Sequence, residues 1–245
     1  MTASRETHAL FELLVAEATM AASSHNTQPW RFEIGADRIR ILPDFARRCS
    51  VVDPDDHHLY ASLGCAAENM VQAAATRGWH AVIEVRSSGN AYTVEALLKP
   101  GAPVTSPLAD AIASRQCTRT GYDGRQVSGD ELALLEQAAS GAGVAPILIT
   151  EEAKLETVAH WVEAGRCYER FALQATALGI RNAVINPPVE VDTLRTQFAA
   201  WLGVGPKRPE LVVRFGYGPG MPKSLRRPVE AVLGAASQKE SSHRA

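Results

Sequence analysis

The chain is poor in cysteine: among 245 residues, Cys49, Cys65, Cys117 and Cys167 stand scattered, with no CxxC pair and no framework spacing. That excludes a zinc ribbon and a disulfide scaffold, and makes reduced thiols the expectation. Charge of one sign is also lacking. The formal net charge of -2 gives no sequence-wide attraction for nucleic acid or an acidic membrane, so neither is an expected partner and any anion site must be local. No apolar run approaches the ~20 residues that span a bilayer. Glu6, His8, Glu12 and Glu17 interrupt the first twenty positions, which excludes the uncharged core of a secretory signal. A cytoplasmic protein is the expectation. HExxH, GxSxG and P-loop patterns are absent, which removes the motifs of zinc proteases, serine hydrolases and NTPases.

Apolar residues make up 46% and charged residues 21%, ordinary values for a chain that folds by itself. Leu10, Leu13, Leu14, Ala18 and Ala21 recur at helical spacing and predict an amphipathic helix ending near Ala22. A polar loop follows, then two strands marked by alternating Trp30, Phe32 and Ile34 and by Ile39 and Ile41. Leu59, Leu63, Ala66, Ala67, Met70 and Ala74 mark a second helix, closed by Gly78 where a left-handed cap is wanted. Strands are expected at Ala81–Val85 and Tyr92–Leu98. Prolines and glycine between Pro100 and Pro107 interrupt all periodicity, which places a boundary near residue 103.

Beyond it the spacing predicts a short helix from Pro107 to about Arg115 and a helix opened by a Ser128–Glu131 capping box. A strand at Pro146–Thr150, a long helix from about Leu155 to Gly179, a helix from Val191 to Leu202 and a last strand through Leu211, Val213 and Phe215 complete the pattern. Helices and mostly hairpin-linked strands without a βαβ rhythm argue for an α+β fold with an antiparallel-rich central sheet flanked by helices. No GxGxxG lies between a strand and a helix, and the prolines after Gly216-Tyr217-Gly218-Pro219-Gly220 deny that run the helix a dinucleotide site requires.

Three segments carry candidate chemistry. Ser23-Ser24-His25-Asn26-Thr27-Gln28-Pro29-Trp30 sets a run of hydrogen-bonding side chains beside a rigid Pro-Trp pair, which suits either a planar polar ligand or a capped turn. Arg115, Arg119 and Arg125, with Ser114 and Thr118 nearby, read as a phosphate cluster or as solvated charge. Lys223, Arg226 and Arg227 offer the same two readings. Asp53, Asp55, Asp56, His57 and His58 can be drawn as metal ligands, but a helix starting at His58 explains the acidic residues as partners of its N-terminal dipole, so no metal is expected.

The stretch Ser23 to Phe32 resembles the nitroreductase signature that ends in Asn-x-Gln-Pro-Trp-x-Phe. Arg115-Gln116-Cys117-Thr118-Arg119 is similar to the Arg-Arg-Ser-x-Arg element of that superfamily, with Cys117 where serine is usual. The resemblance covers about residues 10 to 233, and the loop preceding the arginines, in different halves, resembles the Acg-like branch, in which one chain mimics the usual dimer. It implies a nitroreductase-like fold of two pseudo-repeated halves, 1–103 with the loop and 104–245 with the arginines, forming one integrated flavin-binding unit. The helices carrying Leu63–Met70 and Phe171–Thr176 would be counterparts.

The cofactor so implied is FMN, with Ser24, Asn26 and Gln28 against the flavin and Arg115, Cys117 and Arg119 on its polar groups. Arg226 and Arg227, with Lys223 as a lesser candidate, would close the phosphate site, and the Val184 and Ile185 backbone would face flavin N5. The implied activity is hydride transfer from NAD(P)H through flavin to a nitroaromatic or quinone-like acceptor, without a catalytic side chain. The alternative is a protein that sequesters FMN without turnover. A pseudo-dimeric monomer and a homodimer both fit.

Overall fold

The fold is described from a computed structural model, which defines residues 5–89, 91–121, 123–125, 127–142, 144, 154–205 and 208–233. Helix α1 (Arg5–Ala18) buries Phe11, Leu14, Val15 and Ala18 along one stripe. It stops short of the expected Ala22 because the chain turns at residues 19–21, freeing the Met20 carbonyl to accept from two arginines. Strands β1 (Trp30–Ile34) and β2 (Arg38–Pro43) form the expected hairpin, in register from Trp30↔Pro43 to Ile34↔Ile39.

Helix α2 (His57–Thr76) follows, its first turn capped by Asp53, whose carboxylate accepts the backbone N–H groups of His58 and Leu59. Its far end is closed by Gly78 at a φ of 73°, as the sequence predicts. Strands β3 (Trp79–Ser88) and β4 (Ala91–Pro100) pair over ten residues each, longer than the apolar pattern alone suggests, because the ladder continues through Arg86 and Lys99. The four strands make one antiparallel sheet in the order β1-β2-β4-β3. α1 and α2 pack against it: Phe11, Leu14, Met70 and Ala73 are buried in one cluster with Ile41, Val94, Ala96 and Leu98.

Helix α3 (Pro107–Ala111) begins at Pro107 with Ser106 as its cap, then unwinds before Arg115, whose N–H shares the Ala111 carbonyl with that of Ser114. Helix α4 (Gly129–Ala139) has the full Ser128–Glu131 capping box. The strand expected at 146–150 lies outside the described residues. Helix α5 (Lys154–Ala177), strand β5 (Arg181–Val184), helices α6 (Pro187–Glu190) and α7 (Asp192–Trp201) and strand β6 (Val213–Gly216) complete the chain, β5 and β6 pairing antiparallel as a separate sheet. The architecture is α+β, with antiparallel sheets flanked by helices. Among the described residues no helix is long and apolar enough to cross a membrane.

Two contacts fix the frame of the site. α2 and α5 cross where Gly64 faces the backbone of Val162 and Gly165 that of Ala61, so closely that a methyl on either glycine would stand 2.0 Å or 1.9 Å from a carbonyl oxygen. Beside this crossing Glu68, fully buried, holds Arg166 and Arg170 at 3.0 Å each. At the other contact the Phe32 N–H donates to the Val232 carbonyl at 2.6 Å. That covers the edge of β1 and carries the preceding basic segment across the 23–30 loop.

Candidate functional site

The polar loop is held in a strained backbone. His25, Asn26 and Gln28 have φ values of 48°, 56° and 52°, in the left-handed region that L residues seldom occupy. What over-determines it is a set of local bonds: Gln28 N–H donates to Ser23 Oγ at 3.0 Å, Thr27 Oγ1 to the Ser24 carbonyl at 2.8 Å, and Ser24 N–H to Ser62 Oγ of α2 at 3.2 Å. Pro29 and the fully buried Trp30 then lock the exit into β1.

Onto this loop the fold lays the second basic group, some 200 positions later in the chain. Asn26 donates through Nδ2 to the Leu225 carbonyl at 3.2 Å and accepts through Oδ1 from Arg226 at 3.2 Å. Gln28 Oε1 accepts the Arg227 N–H at 2.7 Å, while the Arg227 guanidinium donates to the Gln28 and Trp30 carbonyls at 3.0 and 3.2 Å and faces Asp44 at 3.6 Å. Arg226 and Arg115 both donate to the Met20 carbonyl, at 3.3 and 2.8 Å. Ser24, Asn26, Gln28, Arg115, Arg226 and Arg227 are therefore neighbours, and Lys223 reaches the Ala113 carbonyl beside them.

Arg115 is not a free cation: it is buried with its Nε 2.9 Å from Glu169, which is itself fully buried. Burial pushes the Glu169 carboxyl up, and the guanidinium beside it pulls it back. Burial, then repulsion from Arg115, lowers Arg226; burial, then Arg47, lowers Arg227. Around the loop, among the described residues, Arg31, Arg47, Arg115, Arg226 and Arg227 face two carboxylates, Asp44 and Glu169, a local excess of three positive charges. Arg226 Nε is buried and makes no hydrogen bond among the described residues. An anionic group would answer both the charge and the orphaned donor. The phosphate of FMN fits that requirement.

This loop lies in a chain with known counterparts. About half of the chain is similar to two proteins that carry a nitroreductase name. Two curated proteins of Mycobacterium tuberculosis, one from strain CDC 1551 / Oshkosh and one from strain H37Rv, both bear the name "Putative NAD(P)H nitroreductase". Each is 33% identical over 135 residues, 52% of this chain and 38% of the relative. The match thus spans about two-fifths of the length of the curated relatives. No protein-family model matches the chain.

The other residues singled out by the nitroreductase resemblance lie on or beside β5. Cys117 and Arg119 are exposed. Cys117 bridges to Asn182, and the Thr118 N–H donates to the Asn182 carbonyl at 2.7 Å. Val184 ends β5, and Ile185 spends its N–H on the Val212 carbonyl at 2.8 Å. Arg125 stacks over Tyr217, 3.8 Å from the ring centroid, and pairs with Asp123. The hydrogen bonds described tie the loop to 225–227, and none of them joins it to 117–119 or 184–185.

A second polar cluster lies at the start of α2. His57 Nδ1 meets Asp55 at 2.7 Å and Asp53 at 3.0 Å, its Nε2 meets His58 Nε2 at 3.1 Å and Glu210 at 3.4 Å, and Arg208 braces Asp55 and Glu210, both at 3.1 Å. Burial opposes charge on His57, but the Asp53 and Asp55 carboxylates push it up to about 9; burial, then His57, pushes His58 down to about 4. The sequence reading explains Asp53, which caps the helix. It misses Glu210, more than 150 positions away, for which no local pattern exists.

Proposed function

We propose that the chain is a flavin-dependent oxidoreductase of the nitroreductase type, with FMN held between the 23–30 loop and the basic segment at Arg226 and Arg227. The observation that carries this reading is the local excess of three positive charges around a strained, polar, pre-organised loop. The names of the M. tuberculosis relatives support an activity with NAD(P)H.

On this reading Arg226, through its orphaned Nε, binds the phosphate, and Arg115, its charge balanced by Glu169, holds the Met20 carbonyl that Arg226 also contacts. Ser24, Asn26 and Gln28 orient the ring system, and the buried Trp30 at the loop exit keeps their backbone from relaxing. Arg119 and Cys117, both exposed, line the approach beside β5 with the Val184 and Ile185 backbone. When bound, the flavin supplies hydride chemistry, accepting from NAD(P)H and passing reducing equivalents to a nitroaromatic or quinone-like acceptor.

One observation favours the second reading, in which FMN is held without turnover: the Ile185 N–H is engaged with Val212 and does not stand free for flavin N5. The purified protein, supplied with FMN and then with NADPH or NADH without air, separates the two. A flavin band that bleaches supports the reductase. A band that persists supports sequestration, and no retained flavin defeats both.

A further inference from the structure

The cluster at the start of α2 has the form of a metal site. We propose that His57 Nε2, His58 Nε2 and the Glu210 carboxylate bind one divalent first-row metal ion of the zinc class, with Asp53 and Asp55 orienting His57. This is independent of the flavin.

Spacing is the first argument. Ligands about 2.0–2.2 Å from a tetrahedral zinc stand about 3.3–3.6 Å from one another. His57 Nε2 lies 3.1 Å from His58 Nε2 and 3.4 Å from Glu210 Oε2, each near the edge length that a metal needs between two ligands.

Orientation is the second. A metal-bound imidazole ordinarily gives its other ring N–H to a carboxylate. His57 Nδ1 has Asp55 and Asp53 for this, at 2.7 and 3.0 Å, with an Arg208 guanidinium nitrogen also at 3.2 Å, and Asp53 is 3.6 Å from His58 Nδ1. With both Nδ1 atoms turned to carboxylates, both Nε2 atoms turn inward.

Satisfaction and charge are the third. Glu210 is buried, and neither of its carboxylate oxygens accepts a hydrogen bond among the described residues; Arg208 Nε approaches one at 3.1 Å without the angle of a bond. Among the described residues Asp55 and Glu210 pair with Arg208 beside Asp53, while Arg195, which also acts on Glu210, pairs with Asp192, and Asp56 pairs with Arg48. Neutral histidines therefore leave two negative charges, which one divalent cation cancels. Two imidazoles and a carboxylate suit zinc, nickel or cobalt better than calcium or magnesium. A small pocket beside Trp161, Ala164 and Leu211 borders His57, His58 and Glu210.

The competing occupant is a proton, which would bridge the same atoms without a metal. The untagged protein, stripped with chelator, should take up one Zn2+ per chain in competition with a chromogenic chelator, and one Co2+ with the intense visible absorption of a four-coordinate site. Glu210→Gln and His58→Gln should weaken binding at least tenfold, and Asp55→Asn about tenfold to a hundredfold. Added Zn2+ should raise the melting temperature of the parent protein and not of Glu210→Gln. If a histidine variant fails to fold, the Glu210→Gln pair of readouts stands alone. Uptake well below one ion per chain, or a Glu210→Gln variant that binds Zn2+ as the parent does, overturns the proposal in favour of the proton.

Discussion

Replacing Gly165 by alanine would put a methyl carbon where α5 has no room for one. That carbon would stand 1.9 Å from the Ala61 carbonyl oxygen and 2.7 Å from its carbon, both parts of the α2 backbone that no rotamer change can move. Non-bonded carbon and oxygen settle near 3.4–3.5 Å, so the helices must part by roughly 1.5 Å. Parting them pulls the Cys65 thiol from the Gly165 carbonyl, now 3.2 Å away, and stretches the Glu68 contacts to Arg166 and Arg170. Overpacking of this kind costs about 1–3 kcal/mol. With the loosened polar contacts we expect a value near the top of that range. For a chain of this length that lowers Tm by about 6–12 °C. Thermal unfolding followed by circular dichroism measures it, with Gly64→Ala expected to behave alike, since its new carbon would lie 2.0 Å from the Val162 oxygen. Gly129→Ala, with nothing within 4 Å, is the control and should melt no lower than the parent. A Gly165→Ala protein that melts with the parent would refute the close crossing.

Two further substitutions probe the frame of the site. Glu169→Ala leaves the buried Arg115 guanidinium without its partner, so stability should fall by about 3–5 kcal/mol in a urea titration; a fall under 1 kcal/mol would contradict the buried pair. Ser128→Ala removes the hydroxyl that accepts the Glu131 N–H and should cost about 1 kcal/mol, read as a shift in urea midpoint without a change in slope.

The parts of the fold legible in the sequence are those whose cause is local. The stripe of α1, the alternation of β1 and β2, the capping box before α4 and the left-handed Gly78 depend on residues within a few positions of one another. The end of α1 was not legible, because it is set by arginines 95 and 206 positions away that take the Met20 carbonyl. Nor was the role of Gly64 and Gly165, whose meaning depends on a helix crossing.

The site divides in the same way. The 23–30 loop announces itself as a contiguous polar run ending in Pro-Trp, and the fold brings the expected Arg226 and Arg227 onto it. The sequence could not show that Arg115 spends its charge on Glu169, 54 positions away and one more polar residue on an amphipathic helix. For His57 and His58 the sequence predicts a helix start and no metal, and it could not show that Glu210 comes within 3.4 Å of His57 from the far part of the chain.

The central claim is that FMN sits between the loop and the basic segment, and an FMN titration followed by quenching of flavin fluorescence tests it most directly. The parent protein should bind one FMN per chain, Arg226→Ala should bind it at least tenfold more weakly, and Arg77→Ala, at the distant end of α2 where it pairs with Glu17, should bind it unchanged. Equal affinity in all three proteins, or no binding by the parent, would contradict the account.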